Sequence, residues 1–471
     1  MFIRSIDTFH SNAALIGSDS SLVSYRQLLN RASNIARKLP TRKLVFLICS
    51  TDADSIVAYT SLIMTDAVVL LLDVGITDEQ LTALATRYEP DYMFLPRARL
   101  LSAFSKELIA DLRAYCLTRT VYDNKCDFAD DLFLLLSTSG TTGNPKLVRL
   151  SKNNVSSNME GIIKYLEINE RERAILTMPI SYSYGLSVVH THLNAGAALV
   201  IPDSGIVEKK FWKVLREQNV TSISGVPWIY AAFDKLGFYK QDLPELTCLT
   251  QAGGALDRKI TEKMVDHCQV TGKRYFTMYG QTEASPRMSY VPWDRAGEKI
   301  GSIGKPISGG QFFLETKSGE VISEPNQVGE LVYTGANVML GYAECREDLA
   351  NGNEYGGLLR TGDLAYRDHD DFYYISGRKN RIAKVLGIRL DLSELESELL
   401  HIGLEGICCE IDQKLTIFVR HPDAVDRVSS HVRKITGLSR MVIDTVAVSN
   451  LPMTSSGKIA YSQLASFRAQ L

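Results

Sequence analysis

Apolar and polar positions along this chain follow two periods, and the switches between them mark its elements. Ser24 stands where a helix would be capped. Leu28, Leu29, Ala32, Ile35, Ala36 and Leu39 after it share one helical face. Residues 43–49 form a short apolar run that predicts a strand. A helix is predicted over about 52–64, then a second apolar strand over 67–72. Strands covered on both faces read as unbroken apolar runs, so this strand–helix–strand rhythm predicts a parallel sheet packed on both sides. The rhythm recurs at 175–177, 198–201 and 222–223. From about 301 to 374 the pattern changes. Short strands near 311–315 and 330–334 are separated by glycine-rich turns, which predicts a small antiparallel or barrel-like lobe. The most apolar stretch, 56–74, carries Asp66 and Asp73, and reads as a buried helix and strand rather than a membrane span.

Length and composition narrow the picture. A chain of 471 residues predicts two to four lobes. A net charge of −2 offers no basic field for nucleic acid and no strong pull toward a membrane surface. Eight cysteines lie scattered, with no C-x-x-C pair, so neither a zinc site nor a disulfide framework is expected. The N-terminus meets Asp7 and His10 too soon for a signal peptide, and a cytoplasmic setting is expected.

The strongest chemical signal is the run from Leu134 to Lys146. An apolar strand ends in Thr138, Ser139, Gly140, Thr141, Thr142 and Gly143, followed by Asn144, Pro145 and Lys146. Hydroxyls, bare glycine amides and one ammonium make a lining for a polyphosphate. The lysine spacing is not that of a Walker loop. Further motifs follow in order: Gly253-Gly254-Ala255, Tyr279-Gly280-Gln281-Thr282-Glu283, Gly329-Glu330-Leu331, Gly341-Tyr342, Thr361-Gly362-Asp363, Gly377-Arg378, Lys384 with Gly387, and Pro452 to Lys458.

This series resembles that of the adenylate-forming, acyl-activating superfamily of acyl-CoA synthetases, luciferases and peptide-synthetase adenylation domains. The resemblance runs from about Ser24 to Lys458. It implies an α/β fold: an N-terminal region, 1–379, of two α/β layers plus the lobe at about 301–374, then a mobile α+β domain, 380–471, hinged at Asn380. It implies a carboxylic acid, ATP and Mg²⁺ as reactants, giving acyl-AMP and pyrophosphate. The acyl group then passes to the thiol of coenzyme A or of a carrier protein's phosphopantetheine. Thr138–Gly143 and Lys146 would hold the outer phosphates. Thr282 would bind the α-phosphate and Glu283 the metal. Tyr279, with Gly280 and Gln281 around it, would lie on the adenine, with Gly253, Gly254 and Ala255 opposite. Asp363 and Arg378 would meet the ribose. Lys458 would bridge carboxylate and α-phosphate, while Lys384 and Gly387 would border the thiol tunnel.

Departures from the pattern bear on substrate. Leu147 stands where glycine usually follows the loop lysine, Asn380 where Asp or Lys is usual at the hinge, and Tyr461 where a basic residue often follows the catalytic lysine. Amino-acid-activating relatives place an Asp where this chain has Gly185, so an α-ammonium would lack its counter-charge. An acyl, hydroxy-acyl or aryl acid is expected in a pocket of Tyr184, Gly185, Leu186, Val189, Ser224, Thr250, Ala252, Met278, Pro286 and Arg287. Arg287 either meets a second polar or acidic group of the substrate or points to solvent. The alternatives are an adenylating enzyme for an atypical amino acid and a non-catalytic nucleotide-binding protein. Retention of Thr282, Glu283, Asp363, Arg378 and Lys458 argues against the latter.

Overall fold

A computed structural model describes the chain except residues 1–7, 100–103, 112–113, 123–127, 138–145, 380, 386–387 and 454–458. For a few further positions, Lys384 among them, it describes the backbone alone. The chain packs as two compact units. One draws on Met1–Gly140, Asn144–Gln311 and Thr334–Leu359, the other on Phe312–Tyr333 and Arg360–Leu471.

The first unit contains two large mixed sheets. In one, Leu22–Ser24, Ala13–Gly17, Ala198–Ile201, Arg173–Ile175, Ser222–Gly225, Cys248–Gln251, Arg274–Gly280, Arg287–Tyr290 and Lys305–Pro306 lie side by side in that order. Its six central strands are parallel. In the other the order is Gly341–Ala343, Leu147–Ser151, Leu132–Ser137, Val68–Asp73, Leu44–Cys49, Tyr92–Pro96, Tyr115–Thr120 and Ser105–Asp111, again with a parallel centre.

The expected elements form for the expected reasons. Ser24 caps helix Tyr25–Ala36 through a reciprocal box with Gln27. Asp52 caps helix Ala53–Met64 by accepting from Ser55 N. Strand Leu44–Cys49 is buried throughout. Its alternate residues feed two cores: Val45, Leu47 and Cys49 join the large one, which also holds Leu199, Ile223 and Leu249 of the other sheet. Leu44, Phe46 and Ile48 join a second core with Tyr88 and Met93. Each such buried side chain contributes roughly 1.5–3 kcal/mol, so a charge in this run would undo both layers. Among the described residues no helix is long and apolar enough to cross a membrane.

In the second unit, the lobe expected to be antiparallel or barrel-like contains a four-stranded sheet in the order Gly310–Glu315, Gly329–Gly335, Leu358–Arg367, Tyr373–Arg378. Among the described residues it does not close into a barrel. After it come a two-stranded ribbon, Ile382–Val385 with Ile388–Asp391, and a three-stranded sheet, Ile407–Ile411, Lys414–Val419 and Ile443–Ala447. Helices Leu392–His401 and Ala424–Thr436 share a core with these strands through Leu395, Leu399, Val428 and Val432.

Candidate active site

Strand ends bring the phosphate-side residues together in the first unit. Ser137 and Leu147 are register partners, so the glycine-rich connection joins two adjacent strands. Thr138, Ser139, Gly140, Thr141, Thr142 and Gly143 lie outside the described residues, and Lys146 stands at the foot of the connection. Strand Arg274–Gly280 delivers Tyr279, and a single 3₁₀ turn, Thr282–Ala284, follows. Gly280 is required here: a Cβ would stand 1.9 Å from the Pro286 carbonyl oxygen as the chain doubles back. Thr282 Oγ1 lies 3.1 Å from Ser183 Oγ at the start of helix Ser183–Asn194. The Glu283 carbonyl accepts from Met339 N at 2.8 Å. Its Oε1 accepts from the Tyr342 hydroxyl at 2.9 Å. Tyr342 sits on the strand paired with the one after Lys146. The Lys146 ammonium lies 5.9 Å from the centre of the Tyr342 ring and 2.5 Å from Glu344 Oε1. A hydroxyl, a carboxylate and an ammonium thus meet at one place.

The electrostatics keep both donors protonated. Burial, and then the Glu283 carboxylate, push the Tyr342 phenol well above its ordinary value. The hydrogen bond that Lys146 donates to the Glu344 carboxylate raises the pKa of the ammonium. Carboxylate oxygens are the hard ligands that a magnesium ion prefers, and one oxygen of Glu283 is steadied by the Tyr342 hydroxyl.

On the adenine side, Gln281 Nε2 donates to the half-buried Tyr279 hydroxyl at 3.3 Å. Gly253 adopts φ +88, and a Cβ there would lie 2.9 Å from the Tyr182 hydroxyl. One at Gly254 would lie 3.3 Å from Pro227. What a side chain would strike here is protein, a constraint that acts whether or not a base is present. Ala255 is exposed.

In the second unit, Asp363 and Arg378 are direct partners across two antiparallel strands. Arg378 Nε donates to Asp363 Oδ1 at 2.9 Å. The aspartate side chain is 3% exposed and the arginine 64%, so the pair presents an open cation over a buried acid. Asn380, Gly387 and Lys458 lie outside the described residues. Lys384 stands opposite Arg389 in the ribbon. Met453 and Ile459 pair across the segment that carries Lys458, and Ala460 N donates to Pro452 O at 2.8 Å. Tyr461, where a basic residue was expected, has a structural partner instead: Arg381 stacks on its ring at 4.3 Å. Arg381 also holds both Glu396 oxygens and donates to Cys408 O at 2.6 Å.

The acyl-side residues split. The Tyr184 hydroxyl lies 2.9 Å from Thr250 Oγ1, which donates to Ser224 Oγ at 2.9 Å. Met278 Sδ accepts from the Tyr165 hydroxyl at 2.9 Å. Arg287 lies over Tyr184, 3.8 Å from the ring centre. Ala252, Pro286 and Val189 are buried nearby in sequence terms only. Leu186 is turned the other way and lines a small closed space with Leu134, Leu136, Val155 and His190. Two positions along a helix is more than half a turn, so Leu186 and Tyr184 cannot share a face. Trp228 is half exposed. Gly185 is explained by space before charge: a Cβ would stand 2.2 Å from the Pro179 carbonyl oxygen. The solvent alternative for Arg287 fails, because the residue is 3% exposed.

Comparison with known proteins decides the family. Residues 2–343 match the AMP-binding enzyme family. The chain belongs to the AMP-binding enzyme family. It is similar to an oxalate–CoA ligase of Arabidopsis thaliana, 29% identical over 70% of this chain and 66% of that protein. It is also similar to a 2-succinylbenzoate–CoA ligase of Oceanobacillus iheyensis, 25% identical over 95% of this chain and 94% of that one. Its fold matches that of the O-succinylbenzoate coenzyme A synthetase MenE of Bacillus subtilis solved with AMP, at a TM-score of 0.77 and 20% identity over 98% and 97% of the two chains.

For an AMP-binding enzyme, the sequence reading missed Ser183, Glu344 and Tyr165 and gave Tyr342 no role. Tyr342 stood in a recognised motif, so a signal was present. Tyr165 sits in the last turn of helix Lys152–Leu166 with no motif, and only the packing of that helix on strands Arg274–Gly280 and Arg287–Tyr290 brings it to Arg287.

Proposed function

We propose that this chain is a stand-alone ATP-dependent acid–thiol ligase. A carboxylate attacks the α-phosphorus of ATP, pyrophosphate leaves, and a thiol then displaces AMP to give a thioester. The observation that carries this reading is the meeting of Ser183, Thr282, Glu283, Tyr342 and Lys146. Phosphoryl chemistry of this type asks the protein for position and charge neutralisation, and the cluster supplies both. Lys146, protonated and half exposed, would exchange Glu344 for phosphate oxygens. Magnesium would belong to Glu283, where it would neutralise phosphate charge. Tyr279 would offer its ring to the adenine, and Asp363 with Arg378 would meet the ribose.

Coenzyme A is the acceptor named for both relatives, and it is the one we favour; a carrier protein's phosphopantetheine is the second. Oxalate and 2-succinylbenzoate, the acids named for those relatives, support a small or medium acyl group. The boundary between 379 and 380 would be the hinge, with Asn380 as its pivot. Lys458 would arrive on the moving domain for adenylation, and Lys384 with Gly387 would border the thiol in the second half-reaction. Arg381, seated on Tyr461, would make the residue after the pivot and the lysine-bearing loop turn as one body. All seven described cysteines are free thiols, which supports a reducing, cytoplasmic setting. The crowding at Gly185 argues against an ordinary α-amino acid. Product analysis tests the reading: AMP and pyrophosphate are expected, and ADP with phosphate would refute it.

A further inference from the structure

Among the described residues two arginines are deeply buried, and they are treated oppositely. The Arg149 side chain is 0% exposed, and it is saturated. It donates to Tyr342 O at 3.0 Å, to Asn351 O, and to the Glu354 carboxylate. Arg287 is 3% exposed and takes part in no ion pair among the described residues. Its Nε finds no acceptor.

Arg287 is also held in place. Its N donates to Asn158 Oδ1 at 3.2 Å, and Asn158 and Asn337 donate to its carbonyl at 2.6 and 3.0 Å. The flat face of the guanidinium rests on the Tyr184 ring at 3.8 Å. That contact leaves the edge donors of the fork for oxygen, the Tyr165 hydroxyl meeting part of that edge and Nε none. The charge is felt by Tyr165, Tyr182 and Tyr184, whose phenols burial raises and the arginine opposes. A guanidinium stays charged whatever its surroundings. It stands among hydroxyls of the acyl-side cluster, with Thr250 and Ser224 joined to the same Tyr184. Such a fork fits a planar or tetrahedral oxyanion.

We propose that the acid activated by this enzyme carries a second anionic group, a carboxylate or a sulfonate, which docks on Arg287 as its missing counter-ion. The proposal rests on the ligase reading above. The first carboxylate is adenylated, and the second neutralises the buried cation. An acid without the second charge leaves that cation unpaired, so discrimination runs strongly one way.

The test uses the full-length enzyme, ATP and magnesium, with pyrophosphate release followed for matched pairs. The pairs are succinate with monomethyl succinate, phthalate with monomethyl phthalate, and sulfoacetate with acetate. At least one doubly charged member is expected to exceed its partner by about 10²-fold or more in kcat/KM. Its structure separates carboxylate from sulfonate. Arg287→Met should erase that preference, bringing kcat/KM for the doubly charged member down toward that of its singly charged partner. Arg287→Lys should restore part of it. A structural role alone would lower melting temperature and spare the ratio. Singly charged acids turning over as well as their partners in the wild type would overturn the proposal and leave the ligase reading standing. No acid-dependent pyrophosphate from any member would instead overturn the ligase reading.

Discussion

The phosphate side and the acyl side of the first unit are built from the same strand and its return, yet they account for charge differently. On the phosphate side every ionic group described has a partner in the protein: Lys146 has Glu344, and Glu283 has the Tyr342 hydroxyl. These pairs are partly exposed, and in the function proposed above ATP and magnesium would take over one oxygen at a time. On the acyl side a cation is sealed in with no acid paired to it among the described residues. The difference teaches that a site for a common ligand keeps itself neutral while empty, whereas a site for a selective one can leave its recognition charge open at a standing cost in stability.

The largest effect that would break this comparison lies at Lys458. Lys458→Ala should lower acyl-AMP formation by about 10²- to 10³-fold, while thioester formation from supplied acyl-AMP persists. Equal loss of both half-reactions, measured side by side, would mean that the lysine does not act in adenylation alone.

Next is Gly185→Asp, the change that would imitate an amino-acid-activating relative. The Pro179 carbonyl stands where its Cβ would go, so we expect about 3 kcal/mol or more of lost stability and no gain in α-amino-acid activation. Urea denaturation together with exchange assays on alanine and phenylalanine checks both. A stable variant that activates either would show that charge, not space, decides this position.

Helix Ser183–Asn194 should also be acid-sensitive. His190 and His192 lie on the Tyr184 helix. Burial holds them down at about 3 and about 4, from an ordinary 6.5. The unfolded chain therefore takes up protons that the folded one refuses. Stability is full above about pH 6.5 and declines as the pH falls toward the folded values. Each imidazole should cost up to about 2 kcal/mol between pH 7 and pH 5. His192→Asn, whose amide can reach the Val188 carbonyl now 2.9 Å from Nδ1, should flatten that decline. An unchanged slope would remove His192 from the account.

The smallest expected effect is Tyr342→Phe, about a tenfold loss in adenylation with binding of the acid unaltered. The hydroxyl makes a single hydrogen bond to a carboxylate, which contributes about 1.5 kcal/mol. A change in acid preference instead would mean that the two sides are not separable.

Much of this organisation was legible in the chain. Runs such as Leu44–Cys49 announced a doubly covered strand because both faces are apolar, and Ser24 announced a helix start by its own hydrogen-bond chemistry. The Tyr279–Glu283 motif announced the phosphate side. Other features were not legible because they depend on distant pairing. Tyr342 reaches Glu283 only because its strand lies beside Leu147–Ser151. Arg287 could meet substrate or solvent on sequence alone, and Asn158 and Asn337 fix its backbone indoors. Leu186 is expected at the acyl pocket with Tyr184, yet helical rotation puts the two on different faces. Gly185 was read as a missing charge, and the backbone adds a steric reason that no spacing rule contains.

The account stands on adenylation, and acid-dependent exchange of labelled pyrophosphate into ATP measures it directly. With magnesium and the doubly charged acids above, label should enter ATP only when an acid is present, and the exchange should collapse in Lys458→Ala. Release of ADP and phosphate, or no exchange with any acid, would contradict it.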